Sequence, residues 1–202
     1  MSDTSATELG RIMLDADPLR AQVDDSRVAE LVSAALDDGA QLAQATAVAL
    51  GREPFSIAAQ LNIAVETRDD DAGFGTTVIF AEYLSRPPRV YLYRPRIEAV
   101  NRLLRDHAPA PLNGLRDATP VFLAHELYHH FDESRGSDAL THRHRVILLS
   151  LGRWRWTGGL ASLGEIAAGA FAQSLLGLGF HPKLLELAVS GAILEISPVE
   201  FA

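Results

Sequence analysis

The residues of this chain best suited to chemistry lie in the stretch PVFLAHELYHHFDE (120–133), which sets His125, Glu126 and His129 in an HExxH spacing. Residues four apart on a helix have Cβ atoms about 5–6 Å apart. Two imidazoles so placed can close on one Zn²⁺ at about 2.0–2.1 Å from each ring nitrogen. Glu126 leans over the same edge without ligating, placed to take a proton from a water that the metal activates. Val121, Phe122, Ala124, Leu127, Tyr128 and Phe131 line the polar triplet with apolar side chains, and Thr119-Pro120 reads as an N-cap followed by proline at the first helical position. His130 lies about 100° round the helix from His129 and is read as a neighbour, not a ligand. The plainer alternative is a helix whose histidines are merely satisfied polar groups.

A zinc site needs at least one more protein ligand. Glu133 continues the four-residue series but lies about 12 Å along the helix axis from His125, too far to share one ion. The metzincin extension, with glycine at 132 and histidine at 135, is excluded by Asp132 and Arg135. Asp138, His142, His144 and Glu165 remain. Glu165 is favoured, because it opens a helical pattern, EIAAGAFAQSLLGL, whose small residues Ala167, Ala168, Gly169 and Ala172 allow that helix to approach the first closely.

The pairing of LAHELYHHF with a downstream E-x-x-A-x-x-F-A-x-x-L-L (Glu165, Ala168, Phe171, Ala172, Leu175, Leu176) resembles the ImmA/IrrE-type zinc metallopeptidases. The stretch FSIAAQLNIAVE (55–66) is similar to that family's short helix and first strand ahead of the catalytic helix. The resemblance spans residues 54–178. It implies His125, His129 and Glu165 as zinc ligands, Glu126 as general base, gluzincin-like chemistry, and regulated cleavage of a cytoplasmic protein such as a transcriptional repressor. Two positions depart from the pattern: the family often has Asn four residues after the ligand Glu and Met-Pro after the Leu pair, where this chain has Gly169 and Gly177-Leu178. An orienting bond from position 169 is therefore expected to be missing.

The rest of the chain must position these groups. With 202 residues and 48% hydrophobic composition it suits a single domain (26–202) preceded by an acidic, partly ordered N-terminal segment (1–25) with a short docking helix around Leu9, Ile12, Met13 and Leu14. A net charge of −8 argues against a nucleic-acid surface over the whole protein. With no cysteine, only a His and carboxylate metal site can be built. The first residues lack the basic start and apolar core of a signal peptide, and no apolar run approaches a membrane span, so a cytoplasmic location without membrane partners is the default expectation. The periodicity predicts helices over 26–50, from Pro54 to about Leu61 with Asn62 closing it, over 95–107, 118–132 and 163–177, and a last one from His181-Pro182 to Ser190. Strands are expected at 63–67, 76–84 and 89–94, the last two as a hairpin, with a loop at 108–114. The acidic run 69–73 lacks the alternating ligands of a calcium loop and reads as a solvated turn.

The expected fold is α+β and zincin-like, a small antiparallel sheet packed on a helical core, with zinc between helices 118–132 and 163–177. One hairpin strand could hold a substrate backbone by strand addition, but the favoured reading makes the two strands simply the sheet that covers the helix. Residues 136–159 gather Arg143, Arg145, Arg153, Arg155, His142, His144, Trp154 and Trp156 on an otherwise acidic protein. They read as a rim of the cleft in which Trp154 and Arg155 touch an acidic protein or peptide substrate. A single-stranded nucleic-acid surface is a weaker reading, and the blandest makes 146–151 an apolar helix beneath the site. His181 is a candidate oxyanion donor. The expected activity is zinc-dependent hydrolysis of peptide bonds. The alternatives are a non-catalytic, zinc-containing module for protein binding or regulation, and a hydrolase of non-peptide amides.

Overall fold

The structure, a computed structural model, describes residues 5–70, 78–108, 112, 114–151 and 154–196. Helix α1 (Ala6–Asp15) starts where the Ser5 hydroxyl accepts the Glu8 N–H, and it buries Leu9 and Leu14 in the main hydrophobic core. The N-terminal segment is thus a part of that core. A 3-10 turn at Arg20–Gln22 leads to α2 (Asp25–Leu50), capped by Asp24, which accepts the Ser26 N–H at 2.8 Å. Helix α3 (Pro54–Gln60) begins with proline, and Glu53 accepts the Phe55 and Ser56 N–H groups. Asn62 closes it at φ 55°, the left-handed conformation anticipated for that residue.

Strands β1 (Ala64–Arg68), β2 (Ala81–Ser85) and β3 (Pro88–Tyr93) form a sheet of order β1-β3-β2. The hairpin is as expected, with Glu82 opposite Tyr91 and Leu84 opposite Arg89. The sheet as a whole is mixed and not antiparallel, because β3 takes the central place and runs parallel to β1, setting Val65 beside Val90. This leaves β2 as an edge strand. Of the acidic run, residues 71–73 lie outside the described part, as do residues 76 and 77 of the predicted second strand.

After β3 come α4 (Arg94–His107), α5 (Thr119–Ser134), a 3-10 turn at Gly136–Asp138, and α6 (Leu140–Arg143). A second sheet follows, the antiparallel pair β4 (Arg145–Leu151) and β5 (Trp154–Gly159), then α7 (Ala161–Leu176) and α8 (Lys183–Ile196). The apolar run 146–151 is therefore strand β4. A short run of this kind has no periodicity to separate helix from strand, and its β-branched Val146 and Ile147 suit the strand that Trp154 to Gly159 completes.

Helix α7 is buried on nearly every side, packed between α2 and α5. The approach to α2 is close at Gly39, where a Cβ would lie 2.1 Å from the Ala167 carbonyl oxygen. Gly177 closes α7 in the left-handed conformation, and the Arg52 guanidinium donates to the Ser174 and Leu175 carbonyls at its end. The described architecture is α+β, and no described helix is long and apolar enough to cross a membrane.

Candidate metal centre

Helix α5 is set by its first turn and by its far end. Thr119 and Pro120 are the first helical residues, one position later in role than the sequence suggested. Ala118 is the N-cap, and the Asp117 carboxylate accepts the Thr119 N–H at 2.9 Å and its hydroxyl at 2.6 Å. At the other end Asp38 of α2 accepts hydrogen bonds from Tyr128, at 2.9 Å, from Arg135 and from Arg143, while Asp132 accepts the Leu140 N–H at 2.9 Å. These bonds fix the rotation of α5 about its axis and hold α6 beside it.

With that rotation set, His125 and His129 face α7. Their rings meet edge to face with centroids 5.1 Å apart. The Glu165 carboxylate reaches both, its oxygens 3.1 Å from His125 Nε2 and 3.4 Å from His129 Nε2. One ligand atom from each of the three lies within 4.8 Å of the other two, so the group could hold a metal ion. Two nitrogens and a carboxylate oxygen form a donor set suited to zinc with one coordination position left open. Burial opposes charge on the His125 ring, but Glu165 and then Glu126 and Glu186 lift its pKa to about 9. Burial likewise raises the Glu165 carboxyl, yet the two imidazoles hold it well below the carboxylate range.

Glu126 is buried beside the triplet and outside it. Burial pushes its carboxyl up, the charges of His125 and His129 draw it down, and the Tyr83 backbone N–H donates to it. That N–H belongs to the outer edge of β2. By the two-residue alternation of a strand, Ala81 and Ser85 direct their backbone groups the same way.

Two lobes of a cleft meet at the triplet. One, of about 500 Å³, runs along residues 78–80 and the start of the edge strand, Ala81 to Tyr83, and is closed by Phe122 and Glu186. The other, of about 410 Å³, continues past Glu133, Thr141 and His142. Tyr83, His129 and Glu165 border both. Phe80 stacks on Phe122 with centroids 4.6 Å apart, and the Tyr83 hydroxyl sits 2.8 Å from His130 Nδ1, so the sheet is locked onto α5 from either side of Glu126.

Of the residues singled out from sequence, the fold brings together His125, Glu126, His129 and Glu165. His130 contacts β2 and stays out of the ligand group. Asp138, His142 and His144, the other ligand candidates, do not join the group, although His142 lines the second lobe. Trp154 is 67% exposed on β5 and borders neither lobe; of the stretch read as the rim, Gly136, Ala139, Thr141 and His142 line the second lobe. The Arg155 side chain lies outside the described part. His181, the candidate oxyanion donor, borders neither lobe: it is buried, Nδ1 accepts the Lys183 N–H at 3.2 Å, and Nε2 faces the Ile166 carbonyl at 3.5 Å. Its ring fills the space beside Gly169, where a Cβ would come within 2.3 Å of it. The residues that sequence reasoning missed are Glu82, Tyr83 and Glu186, for which no spacing relative to HExxH exists; only the hairpin pattern hinted at a strand along the site.

Comparison of the chain with protein-family models, with curated proteins and with solved structures returned no match in any of the three.

Proposed function

We propose that the protein is a zinc-dependent, zincin-like peptidase that hydrolyses peptide bonds. One observation carries the reading: a buried carboxylate, Glu126, stands beside a His-His-Glu triplet at the junction of an open cleft. A zinc ion held by His125, His129 and Glu165 would lower the pKa of a water in its open position and polarise a carbonyl. Glu126, with its proton affinity raised by burial, takes the proton of the attacking water and returns it to the leaving amine. The Tyr83 N–H faces that carboxylate from the strand edge and favours its charged form. The outward backbone of Ala81 and Ser85 suits an extended peptide lying along β2, which places a scissile carbonyl near the triplet. A scaffold that only binds would leave a desolvated carboxylate at Glu126 without purpose, and desolvation of this kind is costly.

The test is cleavage of a quenched-fluorescent peptide library, with metal content measured on the same samples. Glu126→Gln should lose at least about 10²-fold in turnover while keeping stoichiometric zinc, whereas Glu165→Ala should lose both. Equal cleavage by wild type and Glu126→Gln would rule the mechanism out, and full zinc in Glu165→Ala would remove the third ligand.

A further inference from the structure

The cleft carries carboxylates that neither the triplet nor Glu126 accounts for. In the larger lobe Glu82 comes from β2 and Glu186 from α8, and among the described residues no lysine or arginine lines either lobe. They are not further metal ligands, since among the described residues only His125, His129 and Glu165 converge closely enough. Nor do they stand alone on an open surface. Val78, Ile79 and the stacked pair Phe80 and Phe122 form an apolar wall in the same lobe. Each acid is held: Glu82 by the Tyr93 hydroxyl at 3.0 Å, Glu186 by an ion pair with Lys183. An apolar wall followed by carboxylates matches a side chain with an aliphatic stem and a cationic head.

We propose that this lobe is a subsite for a lysine or arginine side chain of the substrate, with Glu186 and Glu82 as the specificity-determining residues; the assignment rests on the peptidase reading above. A metal ion in the triplet would offset the charge of Glu165, which leaves Glu82 and Glu186 as the carboxylates that set the field further along the lobe, in wild type and in Glu126→Gln alike. Low-dielectric walls focus that field on a bound cation. Lys183 competes for Glu186 and tempers it.

Zinc-loaded Glu126→Gln protein provides the test, because it can bind peptides without turning them over. Octapeptides carrying one lysine at successive positions, each paired with its norleucine twin, are titrated by fluorescence anisotropy. At one position lysine should bind about tenfold tighter than norleucine, as one partly desolvated charge pair allows. Adding Glu186→Gln should reduce that ratio to about threefold, and Lys183→Gln should increase it. The two variants act in opposite directions, so damage to α8 cannot imitate the pattern. Absence of any discriminating position, a ratio unchanged in both Glu186→Gln and Glu82→Gln, or no binding by any peptide would each overturn the assignment. Cleavage of the same peptides by wild type is scored separately. A lysine preference without cleavage supports the subsite and overturns the peptidase chemistry alone.

Discussion

Gly169 and His181 occupy one another's space, and the chemistry of the pair sets a pH limit on the fold. The Nδ1 atom of His181 accepts a hydrogen bond, so the ring is neutral with its hydrogen on Nε2. Burial lowers its pKa most; the Ile166 carbonyl raises it somewhat, His125 and Lys183 lower it further, and the result is about 4 against an ordinary 6.5. A depressed folded pKa means that the unfolded chain takes up the proton first. The stability carried by the neutral ring is therefore whole above pH 6.5 and is lost as pH falls through about 4, on the order of 3 kcal/mol in total. Urea melts of the metal-free protein between pH 7 and 4 should show this slope in wild type and a shallower one in His181→Asn. Identical slopes would sink the assignment. His125 and His129 were legible in the sequence because helix geometry ties position to spacing: residues four apart share a face whatever surrounds them. No such rule ties His181 to Gly169. The space left by a missing side chain is filled by whatever the tertiary fold brings there.

At the level of elements, α7 decides the site, since it carries Glu165 and is clamped between α2 and α5. Its small residues, visible as a pattern in the sequence, do permit close approach, but the tightest point is with α2 and not with the HExxH helix. Gly39→Ala would force a Cβ against the Ala167 carbonyl, which cannot yield as a side chain can. Overpacking of this kind should destabilise by at least about 2 kcal/mol and displace Glu165 enough to weaken metal binding. Chemical denaturation and metal titration of that variant check both, and unchanged values would mean that the helices slide apart freely. Legibility also ended at elements whose pattern is ambiguous alone. Strand β4 reads equally as helix until β5 is found opposite it, and the parallel pairing of β1 with β3 depends on which strand takes the centre of the sheet, a choice made by packing on α5.

Across the whole molecule, charge is distributed against the composition. A chain of net charge −8 carries Arg145, Trp154 and Trp156 on the β4–β5 hairpin, while the cleft between sheet and helices is lined with carboxylates. The sequence reading sets an acidic peptide on a basic rim, whereas the subsite proposed above takes a basic side chain in a lobe that holds Glu82 and Glu186. The hairpin itself stands apart from the packing of the metal helices. Its base is fixed by buried Val146 and by Gly158 against Leu19, and Ile147, Leu148, Trp154 and Trp156 are all exposed. In the chain, the hairpin falls between the two histidines and their carboxylate partner. A break in the chain between β4 and β5 would thus put His125 and His129 on one fragment and Glu165 on the other, while α7 keeps its full interface with α2 and α5. Fragments 1–151 and 154–202, produced together, should reassemble and bind zinc where neither does alone, making the metal a reporter that two separate polypeptides have met.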